Sequence, residues 1–133
     1  MNMDKRVINP WPWSDKHEFV QAVRLDAPSR MLVCSGQTSM SADGKALHPG
    51  DMREQINQAL ANLEVVLREA GFTLGDVVRL NYFTTDMDAF FQSNQDLKQR
   101  LSDAGCQCVS SMYGVTRLGT PELMIEIEAL AVA

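Results

Sequence analysis

The groups in this chain that could do chemistry are a few carboxylates, thiols, hydroxyls and carboxamides, and their spacing limits what that chemistry can be. In the run Leu123 to Val132, Leu123, Ile125, Ile127 and Ala129 alternate with Met124, Glu126, Glu128 and Leu130. A period of two is that of a β-strand, so one strand face carries two carboxylates beside apolar neighbours. Glu126 there is either a solvated surface charge or a group placed for acid–base work. Asn94 falls on the apolar side of a predicted helix, where a carboxamide either bonds nearby backbone or faces a ligand. Ser35-Gly36 closes an apolar run, and glycine in a strand marks a bend or a close backbone approach.

Other chemistries find less support. Cys106-x-Cys108 has no second pair at zinc-ligand spacing, and His17 and His48 fall in predicted loops, so no metal site is expected. Cys34 lies in an apolar strand with no base nearby, which suits a small core residue better than a nucleophile. No Gly-x-Ser-x-Gly elbow or phosphate loop occurs. The net charge is −5, and the twelve basic residues are scattered, with Arg24 and Arg79 reading as solvated strand-face charges. Nucleic-acid binding rests on concentrated Lys and Arg, so the composition argues against that partner.

The elements that must position these groups can be read from periodicity. A helix opens at Asp51, with Glu54 three residues on as in a capping box; Met52, Ile56, Leu60, Leu63, Leu67 and Ala70 form one stripe, and Gly71 ends it. A second helix runs from Asp86 or Asp88 to just before Gly105, with Phe90, Phe91, Leu97, Leu101 and Ala104 along one side. Strands are predicted over Arg30–Gln37, Val77–Thr85, Cys108–Thr116 and Leu123–Val132. This order implies an α+β domain in which one mixed sheet carries both helices on one face. The other face then needs a cover, which association with further subunits would supply.

With 133 residues, 45% of them hydrophobic, the chain fits one domain over residues 1–133. No apolar run approaches a membrane span, and Met1 to Pro10 shows no apolar signal region. Three cysteines are an odd number that suits a reducing compartment, and the expected location is cytoplasmic.

Several blocks together resemble the YjgF/Rid (RidA-like) family. They are Gln21-Ala22-Val23-Arg24-Leu25, Leu32-Val33-Cys34-Ser35-Gly36-Gln37, Glu69-Ala70-Gly71 continuing through Leu74-Gly75-Asp76-Val77-Val78, Thr85-Asp86-Met87, and Ile125-Glu126-Ile127-Glu128-Ala129-Leu130-Ala131. The resemblance extends from about residue 18 to the C-terminus and implies a chorismate-mutase-like fold, a homotrimer, and small-molecule clefts between subunits. It also implies hydrolysis of reactive 2-imino or 2-aminoacrylate species to ammonia and a 2-keto acid, without metal or organic cofactor. Other members are described as ribonucleases or metabolite binders.

Carried over residue by residue, the resemblance makes Glu126 the glutamate that activates or orients water. It places Phe19, Ser35, Gly36, Asn94, Ser110, Ser111 and Met112 at cleft positions. Two departures stand out. Alignment through Val115-Thr116-Arg117-Leu118 puts Ser110 where deaminating members carry the arginine that grips the substrate carboxylate, and Phe19 stands where many carry a tyrosine. A serine hydroxyl offers one neutral hydrogen bond where guanidinium offers a bidentate, charge-assisted pair. Arg117 is an odd number of residues from Ser110, so an unbroken strand would aim the two to opposite faces. Trp11-Pro12-Trp13 reads either as a flap over the cleft mouth or as an N-terminal anchor. The expected function is imine or enamine hydrolysis on a non-standard substrate; a non-catalytic metabolite binder is the alternative, and an endoribonuclease-like activity a third.

Overall fold

The computed structural model describes residues 3–133; of the N-terminal stretch read above, Met1 and Asn2 lie outside them. The strands are β1 (Asp4–Ile8), β2 (Ala22–Asp26), β3 (Met31–Thr38), β4 (Val77–Thr84), β5 (Val109–Gly114) and β6 (Ile125–Val132). The helices are α1 (Met52–Glu69), α2 (Met87–Ser93) and α3 (Gln95–Asp103), with short 3₁₀ turns at Pro12–His17 and Leu74–Asp76. Four strands form one mixed sheet in the order β3-β6-β4-β5, antiparallel except for the β4–β5 pair, and β1 and β2 form a separate antiparallel hairpin.

The first helix forms where its cap and stripe place it. The Asp51 carboxylate accepts the Glu54 N–H at 3.1 Å, satisfying a donor that the first turn leaves free. The reciprocal half of the capping box is not made, because the Asp51 N–H donates to the His48 carbonyl at 3.1 Å. Met52, Ile56, Leu60, Leu63 and Leu67 are buried, whereas Ala70, past the helix end, is exposed. Gly71 follows at φ +78°, a left-handed conformation that glycine adopts without strain.

The single second helix expected from the sequence is instead two. It breaks at Asn94, whose φ of −99° and ψ of 15° leave the helical region. Asparagine has a low helix propensity and tolerates such a conformation, and the chain restarts at once because the Lys98 N–H bonds to the Asn94 carbonyl at 3.1 Å. The break also rotates the two apolar stripes apart. Phe90, Leu97 and Leu101 are buried, but Phe91 is 49% exposed and Ala104 lies at the surface.

β6 is central, and its alternation serves both sheet faces. Ile125, Ile127, Ala129 and Ala131 pack with Leu80 and Cys34 beneath Ile56, Leu60 and Leu63 of α1. On the far face, register places Glu126 beside Phe83, Glu128 beside Asn81, and Leu130 between Arg79 and Val33. Phe83 also stacks on Tyr113, with ring centroids 5.1 Å apart. No helix covers that face, and Val33 is left 76% exposed.

One buried side chain fixes how α1 meets the start of β6. Gln55 is fully buried; its Nε2 donates to the His48 carbonyl at 3.1 Å and the Glu122 carbonyl at 2.8 Å, and its Oε1 accepts the Met124 N–H at 2.8 Å. Replacing it with leucine would remove the partners of the Glu122 carbonyl and the Met124 N–H, each costing about 1–3 kcal/mol, while the His48 carbonyl keeps the Asp51 N–H. Gln55→Leu is therefore expected to lower unfolding free energy by about 3 kcal/mol in urea titration with an unchanged slope. A loss below about 0.5 kcal/mol would show that the latch carries nothing.

Candidate functional site

A cavity of about 270 Å³ opens between α2, α3, the inner side of the β4–β5 pair and the segment from Trp13 to Phe19. Local sequence explains each wall. Pro12, with its fixed φ, starts the 3₁₀ turn Pro12–His17, which brings Trp13 and His17 over the opening. Phe19 meets Trp13 edge-on, with centroids 5.7 Å apart, and lies 6.4 Å from the His17 ring. Tyr82 from β4 and Phe90 from α2 form the floor, 5.4 Å apart. Asn94, at the α2–α3 break, is buried and lines the same space, as do Ser110, Ser111 and Met112 of β5.

Of the residues singled out in the sequence, Phe19, Asn94, Ser110, Ser111 and Met112 are thus brought together. Ser35, Gly36 and Glu126 are not among them. The register says why: Ser110 pairs with Leu80, which pairs with Ala129 on the helix-covered face, whereas Glu126 pairs with Phe83 on the open face. Ser35 and Gly36 form an irregularity in the β3–β6 ladder, sitting between the paired residues Cys34 and Gln37 where β6 has only Glu128. A methyl group at position 36 would lie 2.5 Å from Cγ and Cδ of Glu126. The glutamate side chain therefore lies across Gly36 and needs it bare.

The two carboxylates of β6 are not equivalent. Glu128 accepts from Asn81 Nδ2 at 3.0 Å, whereas Glu126 has no hydrogen-bond partner among the described residues. Asn94, Ser110 and Ser111 bring uncharged polar groups to the cavity, and Lys98 brings the one ammonium of its lining, 3.5 Å from the Lys16 carbonyl. Burial, with the Cys108 and Cys106 thiols nearby, holds the Tyr82 phenol well above its ordinary range, so it remains a donor. Burial also raises the Cys34 thiol. Cys108 is raised by its hydrogen bond with Cys106 and by burial, so this thiol is no ready nucleophile. No group of three or more His, Cys, Asp or Glu that could hold a metal ion gathers among the described residues.

Arg117 lies exposed beyond the end of β5 and is not part of the lining; Arg24 pairs with Asp26 at 3.1 Å and Arg79 stands on the open face. Sequence reasoning missed His17, Tyr82 and Lys98 as cavity residues. For Tyr82 a signal existed: it alternates with Leu80 and Thr84 on the inward face of a strand, and a buried tyrosine needs a partner for its hydroxyl. Trp13 lines the mouth, but Trp11 stays 57% exposed outside it.

Comparison with known proteins agrees with this architecture. The family described as Endoribonuclease L-PSP matches residues 13–133. A crystal structure of YyfB from Yersinia pestis, of the conserved Rid protein family, superposes with a TM-score of 0.87 at 36% identity, covering 97% of this chain and 98% of that one. The mitochondrial protein mmf2 of Schizosaccharomyces pombe is 34% identical over 97% of this chain and 98% of its own length. The 2-iminobutanoate/2-iminopropanoate deaminase of Mus musculus is 32% identical over 86% of this chain and 80% of its own length. The chain belongs to the YjgF/Rid family.

Proposed function

We propose that this protein, as one domain over residues 1–133, is a homotrimer that binds a small metabolite in clefts between subunits and hydrolyses an imine or enamine there. The observation that carries the reading is the division of candidate residues between the two sheet faces. Phe19, Asn94, Ser110 and Met112 lie on the helix-covered side, Ser35, Gly36 and Glu126 lie on the open face, and Ser111 touches the cavity from the edge strand while its register places it on the open face beside Asn81. A neighbour docked on the open face would join its Glu126 to the cavity of the next subunit, and would also cover Val33, Met31 and Tyr113, which are 76%, 60% and 47% exposed. The mouse relative, named for 2-imino acid deamination, supports the reaction class.

In the reaction as read, Glu126 takes a proton from water as the oxygen adds to the imine carbon. Glu126 returns that proton to the nitrogen, giving a carbinolamine; it then takes the hydroxyl proton and passes it to the amine, so the C–N bond breaks and ammonia leaves as the carbonyl forms. Water, a proton carrier and orientation suffice, so the reading includes neither metal nor organic cofactor. Ser110 bears on the substrate: without a guanidinium there, a small 2-imino acid loses its charge-assisted grip, and poor turnover of 2-iminobutanoate is expected. The same residue favours a second reading, a non-catalytic binder, which retention of ligand binding with no ammonia release from any imine would establish. RNA cleavage is disfavoured by a net charge of −5 and a cavity with one lysine.

No helix among the described residues is long and apolar enough to cross a membrane. A cytoplasmic location is our reading from the three free, buried cysteines, although mmf2 is a mitochondrial protein.

The test is ammonia release from imines generated in situ. Glu126→Gln keeps the shape but cannot take a proton, so turnover is expected to fall by about 10²–10⁴ while binding changes little; retention of most activity would make Glu126 structural. Gly36→Ala probes the same group indirectly. Its methyl would displace the Glu126 side chain, and a drop of about tenfold or more in kcat with a nearly unchanged thermal midpoint is expected. Full activity in this variant would show that the position of Glu126 is not critical.

A further inference from the structure

Two polar groups face the cavity without a partner inside the protein. Asn94 and Tyr82 are each 7% exposed, and both line it. Neither the Asn94 carboxamide nor the Tyr82 hydroxyl hydrogen-bonds any other described residue, and neither is among the polar atoms sealed away without a partner, so both open into the cavity. Buried polar groups in folded proteins are almost always satisfied, and a site that leaves two of them open is waiting for something to pair with them. The strand-face neighbours of Tyr82, Leu80 and Ile127, are apolar core, and the Cys106 and Cys108 thiols nearby make no hydrogen bond with its hydroxyl among the described residues.

The rest of the wall describes what that something is. Trp13, His17, Phe19, Phe90 and Phe91 present rings around the opening and sides, and aromatic walls bind planar apolar bodies through face and edge contacts. The polar groups at the floor, Tyr82, Asn94 and Ser110, are uncharged, whereas the Lys98 ammonium is held near the Lys16 carbonyl and the His17 imidazole stands at the opening. An anion placed at the floor would lose its hydration without a cation to replace it.

We infer that Tyr82 is the polar anchor of this cavity, and that the ligand is an uncharged molecule with a planar aromatic body and one carbonyl, imine or amide head that meets the Tyr82 hydroxyl and the Asn94 carboxamide. The inference rests on the reading of this cavity as a ligand-binding half-site, and it does not depend on turnover. It also explains how the site does without a tyrosine at Phe19 and an arginine at Ser110: a neutral head needs one directed donor, and Tyr82 supplies it from the floor.

The experiment is calorimetric titration of the full chain, with Trp13 fluorescence as a second signal, using benzamide, benzoate, ethylbenzene and acetamide. Benzamide is expected to bind at least tenfold more tightly than benzoate or acetamide. Tyr82→Phe, which removes one hydroxyl and keeps the ring, is expected to weaken benzamide about threefold to tenfold while leaving its margin over acetamide, which the rings provide. The thermal midpoint of that variant should be unchanged or higher, because the hydroxyl has no partner in the core; a lower midpoint would assign it a structural role and overturn the inference. Benzoate binding as tightly as benzamide, absence of binding by every probe, or a loss below threefold in Tyr82→Phe would also overturn it. Benzamide binding in a protein that releases no ammonia would remove only the deaminase reading. Imine turnover without benzamide binding would remove only this one.

Discussion

A strand in the middle of a sheet has to serve two faces, and β6 is where this chain meets that constraint. Hydrogen-bonded to β3 on one side and β4 on the other, it cannot turn either side chain row toward an edge. Its isoleucines and alanines are fully occupied under α1, so its remaining residues, Glu126, Glu128 and Leu130, define the other face. A lone subunit would expose there a surface built from apolar residues and one unpartnered carboxylate. In the proposed assembly a second subunit would cover this surface, with exposed Val33 and Met31 at its border contributing apolar area.

The same constraint accounts for the layout of the candidate site. If Glu126 must face away from the helices, it cannot act within the cavity that the helices enclose in its own subunit. That cavity's lining holds no carboxylate, and its Lys98 ammonium is placed beside a backbone carbonyl. The cavity can hold and orient a ligand, and the carboxylate can move a proton, but each function belongs to a different face. In the proposed assembly the two would meet, and the contact that covers the open face would also complete the site. Gln55 matters here because it holds the segment from Glu122 to Met124, and thereby the entry of β6, against α1. Gly36 matters because its missing side chain leaves room for Glu126.

Much of the fold was legible in the sequence because it is written in local periodicity. The α1 stripe, its Asp51 cap and the alternation of β6 each depend on residues a few positions apart, and each is present, except that Ala70 lies exposed past the helix end and only half of the capping box forms. The β1–β2 hairpin was not legible: Asp4, Lys5 and Arg6 give β1 no apolar face, and it exists through pairing with residues some twenty positions away. The break at Asn94 was hidden by an apolar pattern that continues across it, since Phe90 and Leu97 fit one helix as well as two. Strand ends shifted by one to two residues, which is usual where hydrogen bonding, not side-chain type, decides the boundary. For the site, family likeness placed the five residues that share the cavity, but not Tyr82, His17 or Lys98, which enter it through tertiary packing. Nor did sequence separate the two halves, because which face a residue takes depends on a register set by strands far apart in the chain.

The central claim is that the two halves meet across a subunit boundary, and cross-linking tests it most directly. The native cysteines Cys34, Cys106 and Cys108 are buried, so Ser35→Cys on the open face and Ser110→Cys in the cavity together would give one reactive thiol in each half. Treated with a short bismaleimide, the double variant is expected to form covalent species of two and three times the 14.8 kDa chain mass, while each single variant stays largely unlinked. A double variant that remains at the mass of one chain under the same conditions would place the two halves apart and contradict the account.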